Sequence, residues 1–294
     1  MFDNSKMTPL KADILLLIIS IIWGSTFIIT KTSLASIPPV SFNAIRFTIA
    51  SFLLFIIFLS RPKKLNFQLF RDGFILGIVL FLTFTFQTIG LKFVTASETG
   101  FITGLYLIFV PIISVIFLKK SVERKIIFAV LLAFIGLFLI SFQGKLHFTF
   151  GEILVIANAL LVAIHIILID RYGIRNDVFA LTSIQIFVLT ILSILYALLF
   201  EDFNLKFTIT SELIFAFFLT GVLATVVAFL VQTYAQKFTT PTRAAVIFTF
   251  EPLSSAFFGY LLGDEILTKT QYFGAFLIFI SMLIVEIKFE GRKR

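Results

Sequence analysis

The chain predicts an all-α membrane protein of ten transmembrane helices in two inverted five-helix repeats, and three observations lead there. Composition is the first: 59% hydrophobic and 14% charged residues over 294 positions, with a mean hydropathy of +1.09, exclude an ordinary soluble domain. Spacing is the second, because the apolar residues fall into ten runs, most near the ~20 residues that cross hydrocarbon about 30 Å thick at 1.5 Å per residue. An internal duplication is the third.

The first run, 14 to 35, follows Lys6, Lys11 and Asp13; it is too long for a signal-peptide core and lacks a small-residue cleavage site, so it reads as the first spanning helix. Runs at 40 to 60, 70 to 91, 96 to 118, 126 to 142, 151 to 170, 178 to 200, 212 to 235, 241 to 263 and 270 to 288 complete the ten. In the third and fourth, Gly73-x-x-x-Gly77 and Gly100-x-x-x-Gly104 are close-approach motifs, echoed by Ala245-x-x-x-Thr249 in the ninth. Most of the 41 phenylalanines read as lipid-facing filler, and with Trp23 the sole tryptophan there is no strong aromatic belt.

Cations alternate between connections. Lys6, Lys11, Arg61, Lys63, Lys64, Arg71, Lys119, Lys120, Arg124, Lys125, Arg171, Arg175, Lys237, Arg243, Lys288, Arg292, Lys293 and Arg294 fall on one side. Lys92, Lys145, Lys206 and Lys269 fall on the other, and Lys31 and Arg46 lie inside runs. This asymmetry predicts both termini in the cytoplasm, with a cell (plasma or inner) membrane location, and accounts for the +8 charge without nucleic acid.

Gln87 to Thr95 reads QTIGLKFVT and Gln232 to Thr240 reads QTYAQKFTT, sharing Gln, Thr, Lys, Phe and Thr in register at an offset of 145. Asp13-Ile14-Leu15 against Glu152-Ile153-Leu154 repeats at 139. The halves are expected at 1–145 and 146–294. Five helices per half is an odd number, so the second half enters from the opposite side, the arrangement in which substrate binds near the midplane and access alternates.

The ninth run carries the anomaly, Glu251-Pro252, near the middle of hydrocarbon. A charge there costs at least ~2.5 kcal/mol and is expected to face a bundle interior or a wet cavity. Either it exchanges protons or binds a substrate amine, or it hydrogen-bonds backbone released by the prolines. Pro252 and Pro111 each remove a donor, releasing the carbonyls of Phe248 and Leu107 at membrane depth, where they could coordinate substrate or mark a tolerated kink.

Trp23-Gly24-Ser25-Thr26-Phe27, Thr95-Ala96-Ser97, Phe250-Glu251-Pro252-Leu253, Gly263-Asp264-Glu265 and Gly274-Ala275-Phe276-Leu277-Ile278 resemble the EamA-type branch of the drug/metabolite transporter superfamily over nearly the whole chain. The resemblance implies secondary transport of small metabolites, often export, through a cavity lined mainly by helices 1, 3, 4, 6, 8 and 9. Two departures stand out. Val110-Pro111 replaces the Glu-Pro often found in the fourth helix, and Pro111 and Pro252 are 141 rather than 145 apart, which questions strict symmetry of the cavity.

Further candidates carry alternatives. Glu98 and Arg243 are equivalent at an offset of 145 and are gate candidates, although Thr95-x-x-Glu98 also fits a capping box. Arg243, in a first turn, opposes the helix dipole and calls for a partner. Lys31 and Arg46 either snorkel or, facing the cavity, favour anionic or zwitterionic substrates. Asn158 and His165 share one face of the sixth helix, for hydrogen bonding between helices or for substrate.

The chain has no cysteine, only His147 and His165 as imidazoles, and no nucleotide-binding loop, so thiol, metal-centred and ATP-driven chemistry are not expected, nor any cofactor. Paired carboxylates or a nucleophile with its base are also lacking, which argues against an enzyme. The expected function is secondary-active export of small amino-acid-like or other polar metabolites, with protons as a coupling candidate and a monomer sufficing. The alternative is a flippase or carrier of lipid-linked or phosphorylated metabolites.

Overall fold

The computed structural model describes residues 7–59, 66–118, 124–141, 149–201 and 208–286, and every regular element among them is helical. Of the residues weighed above, Lys6, Arg61, Lys63, Lys64, Lys119, Lys120, Lys145, His147, Lys206, Lys288, Arg292, Lys293 and Arg294 lie outside the described set.

The helices are α1 (Pro9–Ser33), α2 (Pro39–Leu59), α3 (Phe67–Leu91), α4 (Ala96–Thr103), α5 (Tyr106–Leu118), α6 (Arg124–Ser141), α7 (Phe150–Gly173) and α8 (Val178–Phe200). The eighth run is α9 (Ser211–Phe217), a π-helical turn over Phe218–Val227 and α10 (Ala228–Ala235); α11 (Pro241–Phe248), α12 (Phe250–Gly263) and α13 (Lys269–Glu286) follow. Among the described residues eight spans are long and apolar enough to cross a membrane, with α4 and α5 forming one, α9 to α10 another and α11 with α12 a third. α6 and α13, of 18 residues each, are not among these eight; a shorter apolar stretch, Ile127–Gly136, lies in α6.

Helix starts are fixed by side chains that accept the orphan first-turn N–H groups. Thr8, Asn66, Asp177, Thr210 and Thr240 cap α1, α3, α8, α9 and α11, while Thr95 with Glu98 and Thr149 with Glu152 form full capping boxes on α4 and α7. Thr95 and Thr240 are the repeat-equivalent residues that close the QT…T motifs.

Packing follows the small residues. A Cβ on Gly73 would meet Ile184 at 2.6 Å, and one on Gly77 would meet Val188 at 2.6 Å, so α3 lies directly on α8. α6 closes on α13 where Gly136 faces the Gly274 carbonyl at 2.6 Å from the same construction. The tightest crossing places α1 over α12: a Cβ on Gly24 would sit against the Ser254 Cβ, 2.5 Å from the Glu251 carbonyl and 2.9 Å from the Ser255 nitrogen. Outward faces carry Phe52, Phe55, Phe128, Phe273 and Phe276, more than half exposed, as a lipid-facing surface requires.

One expectation needs correction. The break at Thr249 falls one turn before Pro252 and next to the Phe248 carbonyl that this proline releases, but the other interruption falls at Gly104–Leu105, well ahead of Pro111. Gly104 and Thr249 are 145 apart, so the breaks keep the repeat register that Pro111 and Pro252 lose. The reason is positional: Pro252 occupies the first turn of α12, where its missing N–H would have been an orphan anyway, whereas Pro111 lies inside α5.

Gly24→Ala is expected to lower the melting temperature of the purified protein, at a cost of about 1–3 kcal/mol from overpacking against backbone. Gly173→Ala, whose Cβ would find its nearest neighbour at 3.5 Å, is the control and should leave stability unchanged or raised. Equal melting of the two variants would refute the close crossing.

Candidate functional site

The break at Thr249 places Glu251 in the first turn of α12, where a carboxylate is favoured by the helix dipole. The Thr249 hydroxyl donates to the Val246 carbonyl at 2.6 Å, providing part of the bonding lost at the interruption. Glu251 is 7% exposed, with the Tyr106 side chain beside its carboxylate. Tyr106 and Glu251 are 145 apart, so one acid and one phenol hold the repeat-equivalent positions at the two broken helices.

Glu251 lines a cavity of about 60 Å³ between the spans, together with Trp23, Thr26, Arg46, Thr83, Phe84, Gln87, His165, Phe229 and Gln232 among others. That volume holds a few waters, since one water needs roughly 10–15 Å³. The lining is paired at the offsets read from the sequence. Trp23 and Val162, Thr26 and His165, and Phe27 and Ile166 are each 139 apart, and all six line the cavity. Phe84 and Phe229, and Gln87 and Gln232, are each 145 apart and line it as well; the two phenylalanines meet edge to face at 6.1 Å.

Arg46 is 3% exposed, its guanidinium 4.5 Å from the Phe47 ring centre and 4.7 Å from that of Phe84. Its Nε has no hydrogen-bond partner. His165 meets the Gln185 carbonyl oxygen at 3.2 Å through Nε2 and stands edge-on to Phe229. Asn158 is fully buried and points elsewhere: it accepts from the Thr103 hydroxyl and donates to the Thr83 carbonyl, each at 3.0 Å, tying α7 to α4 and α3. Trp23 donates its indole N–H to the Ala224 carbonyl at 2.9 Å. In the π-helical turn the Ala228 N–H reaches Leu223 and Thr225 and passes over Ala224, so the indole fills an acceptor that the helix leaves open.

Of the remaining candidates, Pro252 is buried behind Glu251 and packs toward Gly100, whose Cβ would come within 3.6 Å of the proline Cα. Pro111 lies away from the cavity, in an apolar groove with Ile108, Ile112 and Val115. Lys31 is also outside the lining, its ammonium donating to the carbonyls of Leu91 at 3.0 Å and of Val94. Glu98 makes the Thr95 capping box.

Beside it, Asp264 adopts a left-handed backbone (φ 52°) that turns the chain after α12, so that Glu265 accepts from the Ala96 and Ser97 N–H groups at 2.9 Å each. The Gly-Asp-Glu motif is thereby a clasp between α12 and the start of α4. At the opposite end Arg243 meets Asp13 at 2.7 Å, joining α11 to α1, and Asp72 receives Arg175 through two bonds of 2.9 and 2.7 Å.

Sequence reasoning treated Gln87 and Gln232 only as markers of duplication, although polar residues on apolar helices were the available signal for a lining role. Tyr106 carried no signal before its equivalence to Glu251 was in view.

A double-mutant cycle on Asp13→Asn and Arg243→Gln is expected to give a stability coupling of about 0.5–3 kcal/mol, the range for contacting charges. Additive effects would show that the pair does not hold α1 to α11.

The EamA-like transporter family model matches residues 10–142 and again 149–287. An uncharacterized transporter of Archaeoglobus fulgidus is 38% identical over 279 residues, covering 95% of this chain and 87% of the relative. The Bacillus subtilis uncharacterized transporter YoaV is 23% identical over 282 residues, covering 94% and 96%. A solved crystal structure superposes with a TM-score of 0.75 at 18% identity, over 93% of this chain and 96% of that one, a likeness of fold. With two family segments spanning an apolar helical bundle built around a central cavity, the chain is a multi-pass membrane protein that belongs to the EamA-like transporter family.

Proposed function

We propose that this chain is a secondary-active exporter of small polar, amino-acid-like metabolites, coupled to protons through Glu251. The observation that carries the reading is the Glu251 carboxylate, held in a broken helix and lining a central cavity whose other residues come in repeat-equivalent pairs. A carboxylate kept inside hydrocarbon at such cost is accounted for when it exchanges protons or binds a cationic group.

In this reading α6 and α13 complete ten spans: 18 residues rise about 27 Å, close to the hydrocarbon thickness. The halves 1–145 and 146–294 are inverted copies, the odd number of spans in each reversing the second. Cation placement sets both termini in the cytoplasm of a cell that carries the protein in its plasma or inner membrane. The Asp13–Arg243 pair closes the cytoplasmic face, and the Glu98–Glu265 region with Lys31 forms the opposite gate. Export is the direction that the family resemblance favours.

The test is flux in reconstituted vesicles under an imposed pH gradient, screened with a metabolite panel. A saturable, gradient-dependent flux is expected. Glu251→Gln should abolish pH-driven flux while the protein stays monodisperse with an unchanged melting temperature. Undiminished pH-driven flux in that variant would eliminate the coupling role.

A further inference from the structure

We propose that Arg46 selects the substrate by receiving the carboxylate of a dipolar molecule whose hydrogen-bond donor end lies toward Glu251 and Gln232. This assignment rests on the transport reading and gives its cavity an orientation.

The paired lining isolates two positions. Arg46 corresponds to Gln185 at the 139 offset of α2 against α8, and Glu251 corresponds to Tyr106 at 145. Gln185 and Tyr106 are neutral, so the fold needs no charge at either position. The two charged members have opposite sign and come from opposite halves of the chain, and no ion pair joins them. Among the described residues, Arg46 and Glu251 are also the only Asp, Glu, Lys or Arg side chains that line the cavity. The cavity lining thus carries one cationic and one acidic group that do not neutralise each other in an ion pair.

Arg46 is built to receive a planar anion. The Phe47 and Phe84 rings, their centres 5.0 Å apart, both lie on one side of the guanidinium, an attraction that does not use its N–H donors, and Nε has no partner. The fork of donors matches a carboxylate. A phosphate monoester, at about −1.5 to −2 charge, would meet only one cation and an acid opposite, so the single positive charge favours a monoacid. Elsewhere in the lining the Gln232 Oε1 is unpartnered. An ammonium on the substrate supplies the missing donor.

The test uses the full chain purified in detergent, with fluorescence of Trp23, the single tryptophan and a lining residue. Two probe triples are titrated: norleucine, hexanoate and pentylamine, then phenylalanine, 3-phenylpropionate and phenethylamine. The zwitterion of at least one triple is expected to saturate, its acid to bind more weakly and its amine more weakly still. Arg46→Gln should weaken zwitterion and acid by roughly 10-fold or more, as loss of a charge-assisted hydrogen bond implies, with Arg46→Lys intermediate. The melting temperature of Arg46→Gln should equal or exceed the native value, because a buried unpaired charge is removed; a residue kept for structure would melt lower.

The assignment is overturned if no probe saturates, if an amine binds as tightly as its zwitterion, if Arg46→Gln leaves carboxylate affinity unchanged, or if that variant melts lower. Binding needs no flux, so a protein that binds these zwitterions but moves nothing across vesicles would sink the transport reading alone.

Discussion

Gly24 brings the backbone of α1 onto the backbone of α12 at the Glu251 carbonyl, and the placement of the cavity's polar groups depends on that contact. Any side chain at this position would push α12 away from α1 and carry the carboxylate with it. On the other flank of α12, Gly100 accommodates Ser255, whose hydroxyl donates to the Ala96 carbonyl at 2.8 Å. α12 is thus gripped between α1 and α4 by contacts that leave no room for a Cβ, and the Glu265 clasp fixes its far end. Association of helices in lipid lacks a hydrophobic drive, so close packing and hydrogen bonds of this kind set the geometry.

From that scaffold the polar inventory divides into two groups. One is satisfied and structural: Asn158 between α7, α4 and α3, the Asp72–Arg175 bridge and the Trp23 indole on the Ala224 carbonyl. The other faces the cavity and is left incomplete: Arg46 Nε and Gln232 Oε1. Buried polar atoms without partners are costly, and a ligand that met these two would remove that cost.

Much of this was legible in the sequence because hydrocarbon thickness and helix rise leave few choices. Eight of the ten apolar runs match membrane-length spans among the described residues to within a few residues at most ends, and the offsets of 139 and 145 pair cavity residues that the hydropathy pattern alone could not bring together. Glu251 and Arg46 stood out as charges in apolar runs and both line the cavity, whereas Lys31, equally conspicuous, turns its ammonium to two carbonyls. Less was legible where two elements had to meet. Asp13 as the partner of Arg243 lies 230 residues away in sequence, and nothing local announces the contact. The break in the fourth run was misplaced because Pro111 is carried inside α5, and the π-helical turn in the eighth run has no proline.

The central claim is that the paired cavity opens in turn to each side of the membrane. The chain has no cysteine, so a single Gln87→Cys protein can report it directly. Labelled with a membrane-impermeant thiol reagent in vesicles of defined orientation, that cysteine should react from either side, with reversal of the pH gradient shifting the balance between them. Reaction from one side alone under every gradient, or none from either, would contradict alternating access through this cavity.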